Sequence, residues 1–315
     1  MDVLESLVAS PEPAIRWKAG GGSRAEVRDS ELVRELVRRL LTAADANVYA
    51  KWQGAHWGLG ALADLGYPPG DEALVPLRER VLATWLDEDY HRDVEVASRA
   101  AAYRHAGVPV MRGRHRAHAS QQGYALWYLN TLGLADERCA QLADLLLRWQ
   151  WPDGGWNCDR DPEADTSSFM ETILPMRGLW RHGTPRAKEA ARAAAEVFLT
   201  RRLVFGRTSR KLIRAEFGQL HYPLYWHYDV LGGLKAMMEL DLLGDPRCAD
   251  ALDLLESMRV ADGWPAHARH YRHRPTDEIA MHHDWVDWGG TSTRRANPWV
   301  TADAVAVLRA AGRIG

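Results

Sequence analysis

The chain has 315 residues, with 40 Lys plus Arg against 42 Asp plus Glu and a formal net charge of −2. That length allows one large domain or two small ones, and the lack of a basic excess argues against a nucleic-acid partner. Three cysteines, Cys139, Cys158 and Cys248, without a C-x-x-C pair, argue against a disulfide framework and fit a reducing compartment, so a cytoplasmic location is expected. The start Met1-Asp2-Val3-Leu4-Glu5 lacks the cations of a signal peptide. No apolar run approaches the roughly 18 residues of a membrane span, so no integral membrane segment is expected. The unusual entry is aromatic: 14 Trp and 10 Tyr against 4 Phe, a preference for rings with a polar tip.

In chain order, residues 1–29, with Pro11, Pro13 and Gly20-Gly21-Gly22, predict a short helix followed by a mobile connector, and 30–315 a single domain. Leu32, Leu36 and Leu40 then open a series of helical stripes. A pattern repeats: a small or apolar helix ends at Gly, and Pro or Asp soon starts a more charged one. The stops are Gly66, Gly133, Gly183, Gly244 and, without a successor, Gly312. The first helices of the pairs (about 48–65, 116–132, 166–182, 221–241 and 297–311) are rich in Trp, Gly and Ala. The second helices (71–86, 136–149, 185–201 and 245–258) carry charged faces. Helices buried all round alternating with amphipathic ones predict an all-α fold of two concentric layers, about five to six helix hairpins. An open HEAT-like superhelix is the alternative. Residues 264–296 hold five His, several Arg, Trp285 and Trp288 without periodicity, as expected of a lid or binding loop.

Between two of these helices runs Gln150-Trp151-Pro152-Asp153-Gly154-Gly155-Trp156, and a shorter copy, Ala261-Asp262-Gly263-Trp264, follows a later outer helix. Asp-Gly-Gly suits a tight turn, and the trailing Trp can pack across helix ends, so Trp156 and Trp264 are expected to be structural staples. The pattern resembles the QW repeat of the squalene/oxidosqualene cyclase and protein prenyltransferase β-subunit superfamily. That resemblance implies an α/α toroid over about residues 45–312, with its site at the N-terminal ends of the inner helices.

Carried over by residue, the resemblance is incomplete. Glu163-Ala164-Asp165-Thr166 stands where triterpene cyclases have Asp-x-Asp-Asp-Thr, so Ala164 replaces the proton-donating acid. In prenyltransferases an Asp, a Cys two residues on and a later His hold zinc. Asp165 fits the first, Ser167 replaces the thiolate, and His227 lies near the third. No metal and no cofactor are therefore expected.

If the inner helices converge, their first turns supply the site. Asp165, Glu171 and His227 are the expected catalytic groups, and Asp165 also suits the N-cap of its helix. Trp52, His56, Trp57, His118, Gln122, Tyr222, Trp226 and Asp303 are the expected substrate-binding groups. His227 and Asp229, two residues apart on a helix, would point about 200° apart and could not share a cavity. Arg207, Arg210, Lys211 and Arg214 could hold a diphosphate or form a solvated basic face. Three functions compete. The first is an isoprenoid enzyme with an aromatic cavity for a hydrophobic small molecule and acid/base chemistry by Asp, Glu or His. The others are a carbohydrate-active helical-barrel hydrolase or lyase and a non-catalytic binding scaffold. Oligomeric state stays open.

Overall fold

The computed structural model describes residues 2–43 and 45–314. Its helices in chain order are α1 (Val3–Val8), α2 (Pro13–Lys18), α3 (Arg24–Asp29), α4 (Glu31–Thr42), α5 (Ala55–Leu65), α6 (Val75–Trp85), α7 (Glu88–His91) and α8 (Arg99–Ala102). They continue as α9 (Ala119–Thr131), α10 (Arg138–Trp149), α11 (Phe169–His182), α12 (Pro185–Leu199), α13 (Val230–Glu239), α14 (Ala249–Ser257) and α15 (Pro298–Ala310). Strands are few and short: β1 (Asp93–Glu95), β2 (Val108–Met111) and β3 (Arg114–His115) form one small sheet, and β4 (Arg272–His273) pairs with β5 (His283–Asp284). The all-α class expected from the sequence is borne out. The chain divides into two compact units, Met1–Gly70 with Leu199–Gly315, and Asp71–Phe198.

In the second unit, α9 and α11 are buried along nearly all their faces, whereas α10 buries one stripe, Cys139, Leu142, Ala143, Leu146 and Trp149. Glycine sets the contact of α9 with α11. A Cβ at Gly123 would lie 2.4 Å from the Cα and N of Pro175, and one at Gly178 would lie 2.3 Å from the carbonyl oxygen of Gly123. No side chain fits at that approach, so the two backbones touch and hold the helix heads in register. β1 runs parallel to β2, and β2 antiparallel to β3.

In the first unit α5, α13 and α15 are the all-round buried helices. Residues 3–29, expected as one helix and a connector, form three short helices tied to the core. Lys18 of α2 reaches Asp64 of α5 at 2.7 Å and Asp303 of α15 at 2.9 Å. Lys235 of α13 completes the square at 2.9 and 2.6 Å to the same two carboxylates. Two ammonium groups and two carboxylates cancel in charge, which lets four helices bury them.

The helix stops follow the glycines with one exception. Gly66, Gly133, Gly183 and Gly312 have φ of 86, 63, 87 and 67°, the left-handed position past a helix end. Gly244 does not take this role: α13 ends at Glu239, and Asp241 occupies the left-handed position with φ 59°. The Asp153-Gly154-Gly155-Trp156 and Asp262-Gly263-Trp264 turns are equivalent in how their Trp is held. Trp156 and Trp264 are each 1 % exposed. Their indole N–H groups donate to Leu146 O (2.9 Å) and Leu255 O (2.7 Å), at the ends of α10 and α14. Their backbone N–H groups donate to Thr172 Oγ1 (3.1 Å) of α11 and Thr301 Oγ1 (2.9 Å) of α15. Gln150 adds bonds from its amide to Gly154 O (2.6 Å) and Ala190 O (2.9 Å).

Candidate functional site

The residues expected at the site fall into two groups, one per unit. In the second unit His118 immediately precedes α9 and Glu171 lies in the first turn of α11, so the Gly123–Pro175 contact brings them together. Glu171 is 1 % exposed. Its Oε2 accepts the Ser120 backbone N–H at 3.0 Å, and its Oε1 lies 3.6 Å from His118 Nδ1. The half-buried Cys158 completes a cluster whose ligating atoms lie within 4.8 Å of one another. Burial opposes charge on Glu171, but His118 and the Ser120 donors outweigh it and hold the carboxyl below its ordinary range. Burial and the neighbouring Glu171 carboxylate push the Cys158 thiol far up, so it stays a thiol and donates to Glu171. Cys158 is thus no thiolate nucleophile. His118 keeps 52 % of its side chain exposed. A buried carboxylate behind an accessible imidazole can orient a base and stabilise its imidazolium.

The other two residues of this group sit elsewhere. Gln122 is buried one turn into α9, its amide 3.4 Å from Trp85 O. Asp165 is exposed in an irregular loop, and the N-cap of α11 is Ser168. The expected capping by Asp165 therefore fails. The reason is a chain of side-chain turns: Asn157, Asp159 and Asp161 each accept the backbone N–H two residues on at 2.9 Å. These turns hold the segment out of the helix, which starts at Phe169.

In the first unit the aromatic residues pack on one another. Trp52 stacks on Tyr225 with centroids 4.5 Å apart and planes 2° from parallel, and meets Trp57 edge-on at 4.7 Å. Their polar tips are bound inside the protein, Trp52 Nε1 to His270 O at 2.9 Å and Trp57 Nε1 to Tyr49 O at 3.2 Å. His56 is 1 % exposed, and burial holds its pKa down to about 3, so it is neutral. Trp226 and Trp52 flank the Lys51 ammonium at 5.5 and 5.3 Å. Tyr222 stacks on Trp299 at 5.4 Å and donates to Asp64 at 2.9 Å. Asp303 is held by Lys18 and Lys235 in the charge square.

His227 does not stand on a helix. Residues 221–229 are irregular and α13 starts at Val230, with Asp229 as its N-cap, so the opposed-face exclusion of His227 and Asp229 does not apply. His221 joins them: its Nδ1 lies 2.9 Å from Asp229 Oδ2, and its ring is 5.7 Å from that of His227. A parallel bridge between His221 and Ala268 draws in the 264–296 segment, stacking His270 on His227 with centroids 3.6 Å apart. Burial opposes charge on His221, but Asp229 outweighs it and raises its pKa. Burial and neighbouring histidines lower His227 to about 3 and His270 to about 4. Three ring nitrogens so placed could hold a metal ion.

Sequence reasoning missed His221, His270 and the partners of Asp303 in the charge square, Lys18, Asp64 and Lys235. Asp284 is 3 % exposed and accepts from Tyr225 Oη, from Trp288 Nε1 at 2.8 Å and from Val286 N at 3.0 Å. Burial outweighs these bonds and raises its carboxyl. A usable signal existed at Asp229, an Asp directly before the apolar run Val230-Leu231, the usual mark of a helix start. The cations of 207–214 are exposed, and Arg210 reaches Asp250 at 3.2 Å.

No protein family and no curated protein matches the sequence. Among solved structures the chain is similar to a protein from Actinoplanes (18 % identity, TM-score 0.46, covering 98 % of this chain and 88 % of that one). It is also similar to the type II terpene cyclase MstE from Scytonema (16 %, 0.44, 99 % and 87 %). A third similar structure is a UGL variant with dGlcA-Glc-Rha-Glc (13 %, 0.45, 98 % and 86 %). At these values the likenesses carry no argument about chemistry.

Proposed function

We propose that the protein is an acid–base enzyme of the α/α-toroid class. In this reading His118 moves the proton, Glu171 orients it, and the substrate is a hydrophobic small molecule of isoprenoid type. One observation carries the chemistry: a half-exposed imidazole stands 3.6 Å from a buried carboxylate at the heads of two touching helices. A carboxyl held below its ordinary range is ionised, so Glu171 does not start a reaction by protonating an alkene. It supports proton removal by His118 and return of that proton by the imidazolium, the pattern of an isomerisation or elimination. The isoprenoid assignment rests on the two Trp-closed turns, Asp153-Gly154-Gly155-Trp156 and Asp262-Gly263-Trp264, whose pattern resembles the QW repeat.

A second reading, a carbohydrate-active hydrolase or lyase, is favoured by an open groove of about 610 Å³ in the second unit. Its walls include Glu95, Arg112 and Glu163 beside Val96 and Met111, a mixture suited to hydroxyls and carboxylates. A melting-temperature panel of prenyl diphosphates, squalene-like lipids and oligosaccharides separates the two. The stabilising compound is then assayed for turnover with the wild type, His118→Gln and Glu171→Gln. Prenyl compounds are expected to stabilise, and His118→Gln to lose about 10²–10⁴ in kcat. Stabilisation by oligosaccharides alone moves the assignment to the second reading. Full turnover in His118→Gln, or no stabilisation by any class, refutes the proposal and leaves a binding scaffold.

A further inference from the structure

The first unit holds a second cluster of chemistry, independent of the His118–Glu171 pair. His221, His227 and His270 each offer a ring nitrogen, and these atoms lie within 4.8 Å of one another. The cluster is oriented from behind. Asp229 accepts the Gly232 N–H at 2.7 Å and the His221 N–H at 3.0 Å, which fixes its carboxylate at the head of α13. That carboxylate takes His221 Nδ1 at 2.9 Å, with Gln219 O at 3.2 Å from the same nitrogen. His221 Nε2 is thereby turned the other way. It is buried and meets no hydrogen-bond partner among the described residues, and the same is true of His227 Nδ1. The His221 side chain is 3 % exposed. Two buried ring nitrogens without partners next to a third imidazole are costly unless something accepts their lone pairs.

We propose that His221, His227 and His270 form a binding site for one divalent transition-metal ion of the zinc class, with Asp229 as the positioning residue. Three imidazole nitrogens suit zinc or cobalt and do not suit calcium or magnesium, which take oxygen ligands. A carboxylate behind one histidine is the usual device for fixing its tautomer toward a metal. Three protein ligands leave one tetrahedral position for water or a substrate oxygen. Lys51 is the neighbouring cation, and its ammonium is drawn to the faces of Tyr49, Trp52 and Trp226 at 5.3–5.9 Å. Ring lone pairs lie in the ring plane, so His227 and His270, stacked 12° from parallel, cannot both aim at one ion as they stand. Loading rotates one of them. His270 suits that movement, since its backbone is anchored through Trp52 Nε1 while its ring is partly exposed. The prenyltransferase resemblance implies no metal, because Ser167 stands where that family has its thiolate; of its three positions only His227 belongs to this cluster.

The test uses the full chain, dialysed against a chelator and titrated with Co²⁺ alone. One equivalent per chain with the visible bands of tetrahedral cobalt is expected. His227→Gln and His270→Gln should abolish the bands, and Asp229→Asn should weaken affinity about 10–100-fold. His118→Gln should bind like the wild type. Because His270 is partly exposed, its variant should keep the wild-type circular dichroism, and the wild-type titration itself needs no variant. No stoichiometric binding, or unchanged bands in both histidine variants, overturns the site. A sulfur-to-cobalt band removed by Cys158→Ser also overturns it, because the ion would then sit with His118, Cys158 and Glu171.

Discussion

Lys235→Met tests whether the charge square, rather than apolar packing alone, fixes the helices of the first unit. The substitution keeps the length of the side chain and removes its ammonium. Asp64 and Asp303 are then left with Lys18 between them, where each had two cations within 2.6–2.9 Å. Removing one partner of a fully buried ion pair costs about 3–5 kcal/mol. Here Asp64 keeps 22 % of its side-chain surface and Lys235 19 %, so water screens part of the loss. The expected destabilisation is about 2–4 kcal/mol, measured by urea unfolding followed by circular dichroism. Asp64→Asn in the Lys235→Met background restores one cation to one anion and still accepts from Tyr222. It should therefore cost at least about 1 kcal/mol less there than in the wild type. Burial works against the charge of Asp64, but Lys18 and Lys235 outweigh it and depress its pKa below 3.8. Its contribution is thus present above that value and lost as pH falls below it, and Asp64→Asn should remove that part of the acid sensitivity. A Lys235→Met variant within about 1 kcal/mol of the wild type, or an equal cost of Asp64→Asn in both backgrounds, refutes the reasoning.

Trp156→Ala should destabilise by about 3–5 kcal/mol without changing the affinity for any ligand found, because the indole closes the α10–α11 junction. Lost turnover at an unchanged melting temperature would contradict that role. Asp165→Ala should change stability by no more than about 0.5 kcal/mol, since Ser168 is the N-cap of α11. A loss of about 1–2 kcal/mol in chemical denaturation would restore Asp165 as a cap.

The helical skeleton was legible because its signals are local. The apolar stripes of α10 and the positive-φ glycines at 66, 133, 183 and 312 need no knowledge of distant residues. Helix starts were read too early where the sequence is aromatic. The helix expected from 221 starts at Val230, and the one expected from 48 starts at Ala55. Runs such as Tyr222-Pro223-Leu224-Tyr225-Trp226 are apolar at every position, so periodicity cannot separate a buried helix from a packed loop. Asp229, through its side-chain cap on Gly232 N, and Gly54, through its extended backbone alone, mark the actual starts, a weaker signal than hydrophobicity in the sequence.

The site was legible to the extent that its residues stand at helix heads. His118 and Glu171 could both be named because each falls in or beside a first turn. Their meeting depends on Gly123 and Gly178 admitting the backbone of the neighbouring helix, a long-range fact that residue type alone does not carry. The histidine cluster was hidden for the opposite reason. A helix through 221–229 sends His227 and Asp229 to opposite faces, whereas the irregular backbone lets Asp229 bond His221 and lets His227 stack on His270. The error in local structure thus became an error in chemistry, because the 3.6-residue period decides which side chains meet. For the same reason the loop before α13 and the 264–296 segment should be the first places to respond when the ion binds. A cobalt titration that perturbs Trp52, whose indole is 5.7 Å from His227 and bonded to the His270 backbone, would report on both through Trp52 fluorescence.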